Sequence, residues 1–180
     1  MKGISYMLNI GIIGAGHISE YHIKAYKEIS SCEVIAISDI NEELARERAT
    51  TYKIPDVYVD YKKLLADKKI DAVVILTPTF THKDIVIDAL NSGKHVLCEK
   101  AFTVNAKEAK ELIDLSKEKK LLLAEAIWTR YQPMRQIIND VISSGIVGPA
   151  YMITANLGYS IADKPRLVKK DLAGGALLDV

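Results

Sequence analysis

The chain has 180 residues, of which 49% are hydrophobic and 26% charged, with a formal net charge of +1. That length holds one full domain and part of another, and the composition is that of a globular protein. The near-neutral balance gives no electrostatic reason to expect nucleic acid or an anionic membrane as a partner, and no apolar run approaches the roughly 20 residues of a spanning helix. Residues 1–7 are too few and too mixed for the apolar core of a signal peptide. The two cysteines, Cys32 and Cys98, are far apart in apolar, strand-like settings. They read as reduced thiols of a cytoplasmic protein, the alternative being a disulfide or metal pair.

Short runs rich in Ile, Val and Leu alternate with longer helix-period segments. Strands are expected at 8–13, 34–37, 72–76, 95–98 and 121–126, with a weaker one at 57–59. They are apolar on both faces, as buried parallel strands are. Helices are expected at 18–29, 41–52, 81–92 and 105–119. Asn41 is a cap for the second, Gly93 a stop for the third, and Lys117, Lys119 and Lys120 a basic last turn for the fourth. This alternation predicts an α/β fold, a doubly wound parallel sheet of Rossmann type with right-handed crossovers.

Beyond Ala126 the pattern changes. Pro133 opens a helix reaching about Ser143, and Gly145, Gly148 and Pro149 break the chain. Residues 151–159 alternate like a strand of a different sheet, 161–172 read as loop, and 174–180 as the opening of an apolar helix. The expected division is a dinucleotide-binding domain at 1–122 and the beginning of a second, substrate and oligomerisation domain at 123–180, cut off at its end.

The first strand runs into Gly14-Ala15-Gly16-His17-Ile18-Ser19. The first glycine permits a tight turn, the second lets a pyrophosphate approach the backbone, and the following helix offers N–H groups at His17 and Ile18. Ser19 stands where a third glycine is usual. The second strand ends in Asp39, about 20 residues further on, where a carboxylate accepts the ribose hydroxyls of an adenosine and repels a 2′-phosphate. The reading is a nicotinamide dinucleotide site preferring NAD. Asp39 as a mere turn residue is the plainer alternative. A methyltransferase also shows a glycine loop and such an acid, but leaves the chemistry downstream unaccounted for.

That chemistry sits at strand ends, the ligand crevice of such a sheet. Thr77 and Pro78 border the cofactor, with His82 one turn on, either a cofactor contact or a helix-start residue. Glu99-Lys100 ends the fifth strand, and a lysine there can hold a substrate hydroxyl or move a proton, unless it is a surface ion pair. The sixth strand leads into Trp128 and Arg130, a wall for nicotinamide and substrate or simply packing.

Taken in order, Gly14-Ala15-Gly16, Asp39, Thr77-Pro78-Thr79 with His82, Glu99-Lys100 and Gly174-Gly175-Ala176-Leu177-Leu178-Asp179 resemble the glucose–fructose oxidoreductase/inositol dehydrogenase (Gfo/Idh/MocA) family. The stretch 125–130 is similar to the subgroup of dimeric dihydrodiol dehydrogenases and related sugar reductases. The resemblance implies hydride transfer between NAD and a sugar-like or cyclic diol, in a homo-oligomer. It implies Lys100 as the catalytic lysine near substrate and nicotinamide. It also places Glu99, Trp128 and Arg130 at the cofactor, and Trp128 and Asp179 at the substrate. Two departures matter. Ala101 replaces the family's usual proline, so the loop loses a fixed φ. The tyrosine or histidine expected after Asp179 falls beyond Val180. The competing reading is a non-catalytic NAD-binding sensor.

Overall fold

The structure, a computed structural model, describes residues 7–156, 158, 165–172 and 174–175. They fall into two compact units, Met1–Glu125 and Ala126–Val180.

The first unit alternates strand and helix: β1 (Leu8–Ile13), α1 (His17–Lys27), β2 (Cys32–Ser38), α2 (Glu42–Tyr52), β3 (Asp56–Tyr58), α3 (Tyr61–Ala66), β4 (Ala72–Ile75), α4 (Thr79–Asn91), β5 (His95–Glu99), α5 (Ala106–Lys119) and β6 (Leu123–Ala126). The sheet order is β3-β2-β1-β4-β5-β6. Pairing is parallel from β3 across to β5. The order reverses direction between β1 and β4, and that switch point opens the ligand crevice at the strands' carboxyl ends.

Each sheet face carries its own core. Ile10, Ile12, Val34, Ile37 and Val74 meet Ile23 of α1 and Ala45 and Ala49 of α2. Ile13, Val73, Ile75 and Cys98 meet Leu64 and Leu65 of α3, Val86 and Ala89 of α4 and Leu112 of α5. Alternation along β1 turns Gly11 towards α3, where a Cβ would stand 2.8 Å from the Leu64 side chain. Register shifts between Ile10 and Gly11, where Val34 and then Ala36 are the partners on β2. Ile35 is therefore the extra residue of a bulge.

Helix ends follow the expected chemistry. Asn41 and Asn105 each cap by accepting from a backbone N–H three residues on, at Leu44 and Glu108. The helix α3 is an element that the hydrophobic pattern did not reveal. It is six residues long, and its signal is Asp60, whose side chain accepts from Lys62 N.

In the second unit a 3-10 turn at Trp128–Tyr131 leads to α6 (Pro133–Ser143), with Pro at its start. Two expectations are corrected here. Of the strand expected at 151–159, residues 157 and 159 lie outside the described residues; 151–156 are exposed and, among the described residues, are in no strand, and an unpaired strand has no ladder to hold it. The segment read as loop contains a helical turn, α7 (Pro165–Val168), and a 3-10 turn, Lys170–Leu172. Proline at the first position pre-sets the helical φ there. Of the helix expected at 174–180, residues 176–180, Asp179 among them, lie outside the described residues, and Gly174 and Gly175 are not helical.

Candidate active site

The turn after β1 is built for close approach. Gly14 has φ +106°, and a Cβ there would lie 2.8 Å from the Leu76 carbonyl carbon and oxygen. Both facts require glycine. Its N–H donates to the Ser38 carbonyl at 2.8 Å, which ties the turn to the end of β2. A Cβ on Gly16 would meet nothing within 4 Å, so the space before α1 is open. Gly16 caps α1 with extended backbone and no side-chain acceptor. The first-turn N–H groups at His17 and Ile18 therefore present the positive end of the helix to that space, which suits a pyrophosphate. Ser19, where a third glycine is usual, is fully buried and donates its hydroxyl to the Gly16 carbonyl at 2.7 Å.

Asp39 stands beside this turn. One carboxylate oxygen accepts the Ala15 N–H at 2.7 Å and the other the Asn41 N–H at 2.8 Å. A carboxylate has about four acceptor sites, so capacity remains for ribose hydroxyls. Arg48 of α2, which the sequence pattern did not single out, donates to the Ala15 carbonyl at 3.3 Å and pairs with Glu20 at 2.7 Å. Ala15 is thus gripped at both its N–H and its carbonyl.

Across the switch point, Thr77 and Pro78 follow β4. Thr81 Oγ1 lies 2.8 Å from the Thr77 hydroxyl and donates to the Pro78 carbonyl at 2.7 Å. His82 has a different task from the expected cofactor contact. It is fully buried, with Nδ1 2.9 Å from the Ala101 carbonyl and Nε2 2.8 Å from the Thr77 carbonyl. Its ring joins the end of β4 to the segment after Lys100.

The segment 99–102 leaves β5 through a cis peptide between Lys100 and Ala101. Glu99 accepts from the Lys100 N–H at 2.9 Å with one oxygen and meets His22 Nε2 at 2.9 Å with the other. Glu125 accepts the Phe102 N–H at 2.9 Å. The neighbouring Cys98 is fully buried, and burial, with the charges of Glu99 and Glu125, pushes its thiol far up. It is a packing residue and not a nucleophile.

The family model described as an oxidoreductase family with an NAD-binding Rossmann fold, GFO_IDH_MocA, matches residues 8–126. The chain belongs to the Gfo/Idh/MocA family. Over 172 residues it is 35% identical to trans-1,2-dihydrobenzene-1,2-diol dehydrogenase of Xenopus tropicalis, covering 94% of this chain and 52% of that protein. Over 201 residues it is 35% identical to D-xylose 1-dehydrogenase (NADP(+)) of Hypocrea jecorina, covering 99% and 51%. A crystal structure of a probable dehydrogenase from Thermotoga maritima matches with TM-score 0.73 and 30% identity, covering 78% of this chain and 42% of that one. The chain spans about half the length of the curated relatives it matches.

As a Gfo/Idh/MocA Rossmann unit, the first unit brings Gly14, Gly16, His17, Ile18, Asp39, Thr77, Pro78, Glu99 and Lys100 to the carboxyl edge of one sheet. Trp128 and Arg130 belong to the second unit, on its 3-10 turn. His22, Arg48 and Glu125 hydrogen-bond to Glu99, the Ala15 carbonyl and the Phe102 N–H beside these residues. Each works through a partner more than 20 residues away in sequence, at distances of 77, 33 and 23. No local spacing announces such pairs.

Proposed function

We propose that this chain supplies the dinucleotide-binding part of a dehydrogenase that passes hydride between NAD and a hydroxyl or carbonyl of a sugar-like or cyclic diol. The observation that carries this reading is the meeting of the open glycine turn, Asp39 and the Glu99-Lys100 segment at one sheet edge. The residues fit a dinucleotide: the turn has room where Gly16 lacks a side chain, and the helix end behind it favours an anion. When bound, the nicotinamide accepts or gives the hydride. Asp39 orients the adenosine ribose and disfavours a 2′-phosphate, hence NAD over NADP. The Hypocrea relative carries NADP(+) in its name, so the proposed preference for NAD rests on Asp39 alone. Lys100 holds the substrate oxygen and helps move its proton.

The sugar and diol class is supported by the names of the relatives. The homo-oligomeric state rests on the family resemblance. A reducing, cytoplasmic setting is supported by two free thiols, Cys32 and Cys98. Trp128 and Asp179 on the substrate side and Arg130 at the cofactor complete the proposal.

Turnover of D-xylose and of trans-1,2-dihydrobenzene-1,2-diol with NAD, followed by nicotinamide absorbance on the intact protein, tests this reading. Lys100→Met is expected to lower kcat about 10²- to 10⁴-fold while leaving NADH affinity within about threefold. Full turnover in that variant would remove Lys100 from the chemistry. NADH binding with no turnover of any polyol would favour the sensor reading.

A further inference from the structure

The segment that carries Lys100 is held from three sides. His82 of α4 meets the Ala101 carbonyl, Glu125 of β6 accepts the Phe102 N–H, and His22 of α1 meets Glu99. The third link differs from the others. His22 sits on the helix whose first turn faces the open glycine turn, and its partner Glu99 itself accepts the Lys100 N–H at 2.9 Å. Both side chains are mostly buried, at 16% and 14% exposure, so the contact is shielded from competing water.

We propose that His22 is a positioning residue: through Glu99 it sets where Lys100 stands relative to a dinucleotide held at the start of α1. The inference rests on the reading of Lys100 given above. A carboxylate only accepts, so the contact needs an N–H on His22 Nε2. The helix between His17 and His22 is regular and stiff. Register at the pyrophosphate end is therefore passed to Glu99, and from Glu99 to the Lys100 backbone. Removing the imidazole leaves one Glu99 oxygen without its donor. The carboxylate then loses one of its restraints, and the acceptor of the Lys100 N–H is less firmly placed. His22 also packs beside Tyr26, with ring centroids 6.4 Å apart, so a purely packing role must be separated from positioning.

Residue-resolved hydrogen exchange on the intact protein, with and without NADH, makes that separation. His22→Leu is expected to speed exchange of the Lys100 amide about tenfold. The Gly14 amide, bonded to Ser38, should change by less than about threefold. His22→Gln, which can still donate to Glu99, should restore most of the protection. Turnover in His22→Leu should fall about 10- to 100-fold with NADH affinity nearly unchanged. Unaltered Lys100 exchange in His22→Leu would overturn the proposal, as would equal loss in His22→Gln or loss shared by Gly14. Should His22→Leu fail to fold, Glu99→Ala removes the acceptor of the same bond, and unaltered Lys100 exchange there overturns it equally. Full turnover in Lys100→Met would sink the reading of Lys100 while leaving the exchange result to stand or fall by itself.

Discussion

Gly14 and Gly16 occupy the same turn and do different things. Alanine at position 14 must take φ +106° and place its Cβ 2.8 Å from the Leu76 backbone. Gly14→Ala should therefore cost about 3 kcal/mol or more, read as a lowered denaturant midpoint. Gly16 has φ −61° and open space around it. Gly16→Ala should leave stability within about 0.5 kcal/mol yet weaken NADH binding roughly tenfold or more, because its methyl occupies the pyrophosphate's place. The glycines and Asp39 were legible because the chemistry fixes residue type at a fixed spacing. His82 was only half legible: its place after Thr77 was evident, but its burial among carbonyls was not. A separate residue-scale effect concerns pH. Burial, then the hydrogen bond to Asp88, raises Tyr61 from its ordinary 10 to about 12. Between those values the native state holds the proton and the unfolded state does not, so stability falls as pH rises. Tyr26, also raised to about 12 by burial, adds to the same fall. Tyr61→Phe should flatten the decline in denaturant midpoint over pH 10 to 12, and an unchanged slope would contradict this account.

At the scale of elements, α2 and α5 both end on an exposed lysine in the left-handed region, Lys53 and Lys120, each with φ 57°. Glycine adopts that conformation without the Cβ penalty. Lys120→Gly is expected to raise stability by about 0.5–1 kcal/mol, measured by chemical denaturation, and a loss would show that the lysine side chain contributes at that end. Strands β1, β2, β4 and β5 were legible because buried parallel strands carry apolar runs, whereas β3 and β6, at the two sheet edges, are only partly buried and each includes an acidic residue. The helix α3 was hidden by its length, since six residues hardly complete a periodic pattern. Residues 151–156 show the reverse failure. Alternation alone suggested a strand, but a strand exists only with a neighbour to pair with, and sequence pattern does not supply one.

For the molecule as a whole, the first unit is the part whose chemistry is visible. It holds both core clusters and the crevice at the switch point, and it coincides closely with the span matched by the family model. A ligand that binds only the folded state raises stability by mass action, about 2.7 kcal/mol at 100 times its dissociation constant. The same titration that reports affinity can thus be checked against thermal unfolding. The most direct measurement is calorimetric titration of the protein with NADH and, separately, NADPH. Asp39 beside the glycine turn predicts binding of both, with NADH tighter by at least about tenfold, and a loss of that discrimination in Asp39→Ser. Equal or tighter binding of NADPH would contradict the role given to Asp39, and no binding of either would contradict the assignment of the crevice itself.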